Sequence, residues 1–569
     1  MIARTDTVER QPTVTRREMT WVLVWVAFVM LLTCIPYIYA MKIADGHSFG
    51  GFLWGVDEGN VYLTWMRQAS EGEVFFRNQY AAVAENPRFV NLFLQFGGRL
   101  AGLLHLDLRV MWHVLRLLGG GFLLVAFYLL TAELTRDRVA RWAALALASL
   151  GSGFGWLVVL NWPNSGLHPV DVGVAWQVQP EAVTFPSLLL NGLFTTSMAL
   201  MCLTFLYALR ALRDGDRRAT VYAGLCLLVL GNIHTYDVFP VWLALVAWVI
   251  VGGIGNGESV IGRGLKRLVP IFLIGLPTVL YALYATFSDP AFLAKGLTPT
   301  PAFRFLDYAV AYGLPGLLAL GGAVLAFTRF PSPNSRFPML WGLSNALVLL
   351  IPVSFQRKMI EGLHLPLCIL AGFAVSWLAT TITRGLRDRG KHKQAMERVV
   401  LTVCAIVVFS IPSNALFVSQ ALHSAKTNNS ELLAVLQPPI YLEPEDSQAM
   451  HWLSANTQKT DVILSSSFMG SYIPTYCPAK VWVGHWAETL NFGDRLAEAN
   501  AIFDAPDPRE PLVQKQLPVS LLYYGPWERA LTGAAGVDPA AWAAAARLAY
   551  KPIYDTGRVT IYRLPETRP

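Results

Sequence analysis

Apolar runs near 20 residues long recur along the chain, separated by short polar segments, beginning with Met19–Ala40. A helix needs about 20 apolar residues to cross ~30 Å of hydrocarbon, so each run predicts a membrane-spanning helix. Further runs fall at 110–133, 140–160, 186–209, 221–230, 238–251, 268–287, 308–327, 338–355, 363–383 and 399–422, about eleven spans in all. The 221–230 run spans only if it borrows flanking residues or tilts. After about Lys426 the pattern changes to short elements of alternating type. Ser447–Asn456 and Asp494–Phe503 read as helices. Asp461–Ser466, Val481–His485, Pro518–Tyr524 and the pair Leu548–Tyr554 and Val559–Leu564 read as strands. The pattern predicts a mainly α polytopic membrane protein with a C-terminal α/β domain. Its divisions are a tail at 1–18, a transmembrane region at 19–425 with a long loop at 41–109, and the α/β domain at 426–569.

Composition agrees. The 569 residues are 54% hydrophobic and only 15% charged, against roughly 25% charged in soluble proteins. The net charge of +7 does not point to nucleic acid, because its distribution follows membrane topology. Lys and Arg crowd one alternating set of segments, among them Arg4 to Arg17, Arg136 to Arg141, Arg210 to Arg218, Arg263 to Arg267, and Arg384 to Arg398. The opposite short loops carry only Lys295, Arg304, Arg357 and Lys358. Positive charge stays inside, so the N-terminus is expected in the cytoplasm of a plasma (inner) membrane and the C-terminal domain outside it. The Arg-bearing residues before Met19 and the length of the first run predict a retained helix, not a cleaved signal. Cys34, Cys202, Cys226, Cys368 and Cys404 lie in apolar runs and Cys477 outside them, with no disulfide or zinc spacing.

Three regions then fall outside: the 41–109 loop, the loop Asn161–Thr184, and the C-terminal domain. In the first, Asp57 and Glu58 form an acidic pair just past the first span, and Asn60–Glu71 suits a helix lying in the membrane interface. Ionisable groups at a membrane boundary are costly unless used or paired. Arg357 and Lys358 break two apolar runs on the side poor in positive charge, where a guanidinium fork and an ammonium suit a phosphate. They serve equally as snorkelling helix-end anchors. His234 and Asp237, three residues apart in a turn, suit a metal, a substrate contact or a simple cap. His168, Asp171 and Glu181 dot the Asn161–Thr184 loop, and Glu361 follows the Arg–Lys pair by one turn. In the α/β domain, His485 and Glu488 cluster beside Trp486 after a predicted strand.

Asp57-Glu58-Gly59-Asn60-Val61-Tyr62, followed by Ala69-Ser70-Glu71-Gly72 and Asn78-Gln79-Tyr80, resembles the first outer loop of GT-C glycosyltransferases. It is most similar to protein O-mannosyltransferases and lipid A aminoarabinose transferases. The span count and C-terminal outer domain extend the resemblance over nearly the whole chain. It implies inverting transfer of a sugar from a polyprenyl-phosphate carrier to a glycan, lipid or protein acceptor at the outer membrane face. Asp57 would be the general base, and Glu58 would assist it or help to bind a divalent ion such as Mg or Mn. Arg357 and Lys358 would receive the donor phosphate. A carrier-lipid or sugar transporter would instead place ionisable groups near mid-bilayer in repeated halves. A membrane scaffold would leave Asp57 incidental.

Overall fold

The computed structural model describes residues 14–83, 86–165, 179–254, 258–330, 332–428 and 438–565. Each apolar run of the sequence holds helix there, with breaks near Gly151, Asn191 and Ile411. Eight helical segments among the described residues are long and apolar enough to cross a membrane. His392–Phe409 and Pro412–Thr427, bent by 46° at their break, make a ninth if counted together. Two of the eleven expected runs, 221–230 and 338–355, are not among these segments. The 221–230 run lies in Arg217–Ile233, a helix of 17 residues. The 338–355 run yields only the 12-residue helix Phe337–Val348, which ends at its C-cap Leu349, three residues ahead of Pro352.

The chain divides into two compact units. One comprises Met1–Ile35, His113–Ala282 and Pro299–Gln420; the other comprises Pro36–Trp112, Leu283–Thr298 and Ala421–Pro569.

In the first unit, helices approach each other through small residues. A Cβ on Gly322 of the Phe305–Thr328 helix would fall 1.8 Å from Leu370 O on the His364–Asp388 helix. Backbone contact of this kind replaces the hydrophobic drive that lipid removes. Charges at the helix ends are paired. Glu18 accepts from Tyr128 Oη at 2.6 Å and from Arg141 at 3.0 Å, with Arg138 at 3.5 Å. Glu133 takes Arg210 at 2.9 Å and also Arg213. Several Arg residues that read as topology markers are thus also partners for carboxylates buried at the ends of helices.

The second unit contains a five-stranded mixed sheet in the order Lys480–Val481, Val462–Leu464, Leu521–Tyr524, Thr560–Arg563, Lys551–Asp555. The first three strands are parallel and the last two pair antiparallel. Tyr524, Trp542, Phe503 and Ile502 pack the core on one side of it, with the Tyr524 and Trp542 rings stacked at 4.0 Å. The strand expected at Val481–His485 ends at Val481, which leaves His485 on the turn that follows.

The helix expected at Asn60–Glu71 is Val56–Ser70. It does not lie open in an interface: its polar Asn60, Thr64, Arg67 and Gln68 are buried together with its apolar face. The reason is a hydrogen-bonded network with the C-terminal part of the same unit. Arg67 Nε donates to Pro474 O at 3.1 Å and its guanidinium reaches Gln79 Oε1. Gln79 Nε2 donates to Cys477 O and Ala479 O at 2.9 and 2.7 Å. Val481 N donates to Gln79 O at 2.9 Å. Tyr80 Oη donates to Ser471 O at 3.1 Å.

Replacing Gly322 by Val forces these helices apart. The cost expected is about 1–3 kcal/mol or more, read as a lower midpoint of thermal unfolding for the detergent-solubilised protein.

Candidate active site

Asp57 and Glu58 occupy the first turn of the Val56–Ser70 helix, where unsatisfied N–H groups and the helix dipole favour carboxylates. His485 sits in a tight turn whose Glu488 and Thr489 amides both donate to its carbonyl, at 3.2 and 2.9 Å. The Ala487 N–H donates to His485 Nδ1 at 3.1 Å. That bond assigns the neutral ring's proton to Nε2, which lies 3.1 Å from Glu58 Oε2 and 3.7 Å from Asp57 Oδ2. Tyr62 Oη donates to Glu58 Oε1 at 3.0 Å. The two acids differ in exposure: the Asp57 side chain is 13% exposed and the Glu58 side chain 49%. Burial lifts the Asp57 carboxyl above its ordinary value; the His485 imidazole draws it down and Glu58 pushes it up, with a net rise. Burial works against a charged His485, but the Glu58 hydrogen bond and the Asp57 charge outweigh it and leave the ring more basic than usual.

Glu488 is buried on the same turn. Asn78 Nδ2 donates to its backbone oxygen at 3.0 Å and to Oε2 at 3.3 Å. The Lys295 ammonium pairs with Oε1 and rests over the Trp65 ring at 4.7 Å. Asp57, Glu58, His485 and Glu488, drawn from opposite ends of the sequence, thus belong to one neighbourhood of the second unit.

In the first unit, His234 Nδ1 lies 3.1 Å from Asp237 Oδ2 and 3.3 Å from Glu361 Oε2. Ser197 Oγ contacts Glu361 Oε1. Among the described residues, His234, Asp237 and Glu361 form the group whose donor atoms converge closely enough to hold a metal ion, all within 4.8 Å of one another. The divalent ion expected at Asp57 and Glu58 fits less well there. The protonated Nε2 of His485 faces both carboxylates and fills, as a donor, the position a cation would take. Arg357 Nε is buried without a hydrogen bond, and the guanidinium lies over Phe303 at 5.5 Å. Gln179 Nε2 donates to Arg357 O at 2.6 Å and accepts from Tyr308 at Oε1. Lys358 Nζ lies over Tyr236 at 5.1 Å. Burial raises the Glu181 carboxyl, against the pull of Arg357, His234 and Lys358. His168 and Asp171 lie outside the described residues.

Sequence reasoning passed over Ser197, whose hydroxyl carries no motif. It also passed over a role for Tyr62, although its position four residues after Glu58 on a helix was a usable signal.

No protein-family model matches the chain, and no curated protein matches it by sequence. Solved structures do. ArnT from Cupriavidus metallidurans in the apo state aligns at a TM-score of 0.55 and 13% identity, over 96% of this chain and 98% of that one. The same protein bound to undecaprenyl phosphate aligns at 0.52 and 13%, with the same coverage. The Archaeoglobus fulgidus oligosaccharyltransferase complex with Zn and sulfate aligns at 0.53 and 11%, over 88% of this chain and 67% of that one. These neighbours are GT-C glycosyltransferases, and the chain has their fold. With its apolar helices, it is an integral membrane protein.

Lys295→Met leaves the buried Glu488 carboxylate without its cation. It is expected to lower stability by roughly 2–3 kcal/mol, short of the full cost of breaking a deeply buried pair because Lys295 is partly exposed. Adding Glu488→Gln should recover part of the loss, measured as a double-mutant cycle on thermal unfolding.

Proposed function

We propose that this protein is a glycosyltransferase that moves a sugar from a polyprenyl-phosphate carrier to an acceptor at the outer membrane face, with Asp57 as general base. The observation that carries this reading is the state of Asp57 itself: a carboxylate more buried than its neighbour, raised in basicity, and steadied by an imidazole whose tautomer is fixed. A general base works best when its pKa lies near the working pH, and burial moves Asp57 in that direction. The shared fold supports the reaction class. The carrier bound by ArnT, undecaprenyl phosphate, supports a polyprenyl donor.

In the reaction, Asp57 takes the proton of an acceptor hydroxyl as that oxygen attacks the anomeric carbon. The bond from that carbon to the carrier phosphate breaks, and its electron pair leaves on the phosphate. One displacement inverts the anomeric configuration. His485 positions Asp57 and tempers its charge, and Glu58, tied to Tyr62 and His485, keeps the imidazole in place. Arg357 and Lys358 are assigned to the carrier phosphate by charge and donor capacity, since developing phosphate charge is stabilised by a cation's N–H groups. The N-terminus lies in the cytoplasm and the 438–565 region outside.

Asp57→Asn should lower transfer from a polyprenyl-phosphate sugar by about 10²–10⁴-fold while the protein elutes and melts as the wild type does. Undiminished transfer removes Asp57 from the mechanism.

The base must be ionised, and its pKa is raised. Activity should therefore fall, as pH decreases, at a pH above the ordinary carboxylate range. His485→Gln removes the group that draws the Asp57 pKa down, so the acid limb of the pH–rate profile should move to higher pH. A limb that stays in place in this variant separates His485 from the base.

Leu548 is 87% exposed. A cysteine placed there should react with a membrane-impermeant maleimide added to intact cells, and one at Arg389 should not.

A further inference from the structure

We infer that His234, Asp237 and Glu361 form a binding site for one divalent transition-metal ion, zinc by preference. Two carboxylates that are each 0% exposed converge on an imidazole whose side chain is 10% exposed. Such a group cannot carry two bare negative charges in a low dielectric. Either protons or a cation must neutralise it, and several details favour a cation.

The first is spacing. Ligands on a common tetrahedral zinc, with bonds near 2.0–2.2 Å, stand roughly 3.4 Å apart. The Nδ1 to Oδ2 and Nδ1 to Oε2 separations are 3.1 and 3.3 Å. The second is the state of the donor atoms. Both oxygens of Asp237, Oε2 of Glu361 and Nδ1 of His234 are buried without a well-formed hydrogen bond. Asp237 is also the N-cap of the Val238–Gly253 helix, yet its side chain makes no capping bond. An Asp in that position ordinarily caps; this one is turned toward the cluster instead.

The third is preorganisation. Asn345 Nδ2 donates to Glu361 O and Met359 O at 3.0 and 3.3 Å, which fixes the backbone that carries the carboxylate. Gly362 follows with φ +83, and a Cβ there would fall 2.6 Å from Met201 Sδ, so only glycine makes this turn without strain. The Phe194 and Tyr236 rings meet the His234 imidazole edge to face at 5.7 and 5.5 Å. Ligands held in this way resemble a supported metal shell more than a chance meeting of acids. The neighbouring cations are engaged with aromatic faces, Arg357 with Phe303 and Lys358 with Tyr236.

The donor set selects the metal. Imidazole nitrogen with two carboxylates suits zinc, with manganese second; magnesium prefers oxygen ligands and retained waters.

The site stands whether or not Asp57 is the base, and metal content reads it without any transfer assay. Full-length protein purified in detergent, stripped with a chelator and dialysed against zinc should retain about one zinc per chain by mass spectrometry. Zinc should also raise its thermal midpoint. Asp237→Asn and Glu361→Gln, which keep side-chain shape, should weaken binding by at least about 100-fold and abolish that midpoint shift. Cobalt in place of zinc should give weak d–d bands without the intense thiolate charge-transfer band that cysteine ligation would produce. Failure of the wild type to retain zinc overturns the inference, even if the variants fail to fold. So does retention unchanged in folded variants, or a cobalt–thiolate band.

Discussion

The side-chain amide of Gln79 is saturated, and the second unit depends on it. Its oxygen accepts from Arg67 and, at 3.0 Å, from Gln68. Its nitrogen donates to Cys477 O and Ala479 O, and its backbone oxygen takes the Val481 amide. One residue therefore joins the Val56–Ser70 helix to the strand whose exit carries His485. Buried amides that find every partner are strong specifiers of register, because any slip leaves several of them unpaired at a cost of about 1–3 kcal/mol each. The 3.1 Å contact between His485 and Glu58 is a downstream result of that register. Asn78 and Tyr80, on either side of Gln79, reinforce it through Glu488 and Ser471.

The first unit obeys another constraint. Lipid offers no hydrophobic reward for pressing two helices together, so contact rests on small residues and on polar groups that have nowhere else to go. Gly322 allows a backbone approach that any side chain would block. Glu18 and Glu133 are stabilised by pairs of arginines. His234, Asp237 and Glu361 bring two buried carboxyl groups together with no arginine paired to them among the described residues.

Hydropathy made most of this architecture readable. Apolar length predicts helices well because a bilayer has a fixed thickness, and every run holds a helix over part or all of its length. It predicted less well which helices span, since Phe337–Val348 stops short while its apolar composition continues. The acidic pair Asp57 and Glu58 stood out by position, as did His485 and Glu488 by clustering. That His485 faces Glu58 was not legible, because the partners are 427 positions apart and no periodic signal links them. For Asn60–Glu71 the alternation of apolar and polar residues suggested a helix with one wet face. The polar side instead meets Pro474 O and Ser471 Oγ of the C-terminal segment, together with Arg77 to Tyr80, a destination that local pattern cannot reveal. The convergence of Glu361 on His234 and Asp237 was hidden for the same reason.

The second unit is assembled from three stretches that are remote in sequence, Pro36–Trp112, Leu283–Thr298 and Ala421–Pro569. This imposes an order of events during biogenesis. When Asp57 leaves the ribosome, neither Lys295 nor His485 has been made. Tyr62 and Gln79 follow soon after, but the long-range partners of Glu58 and Arg67 come only when nearly the whole polypeptide has been synthesised and threaded. A chain arrested before Pro474 to His485 lacks the C-terminal partners of Arg67, Gln79 and Glu58 alike. The neighbourhood around Asp57 is therefore complete only after the C-terminal stretch has been made.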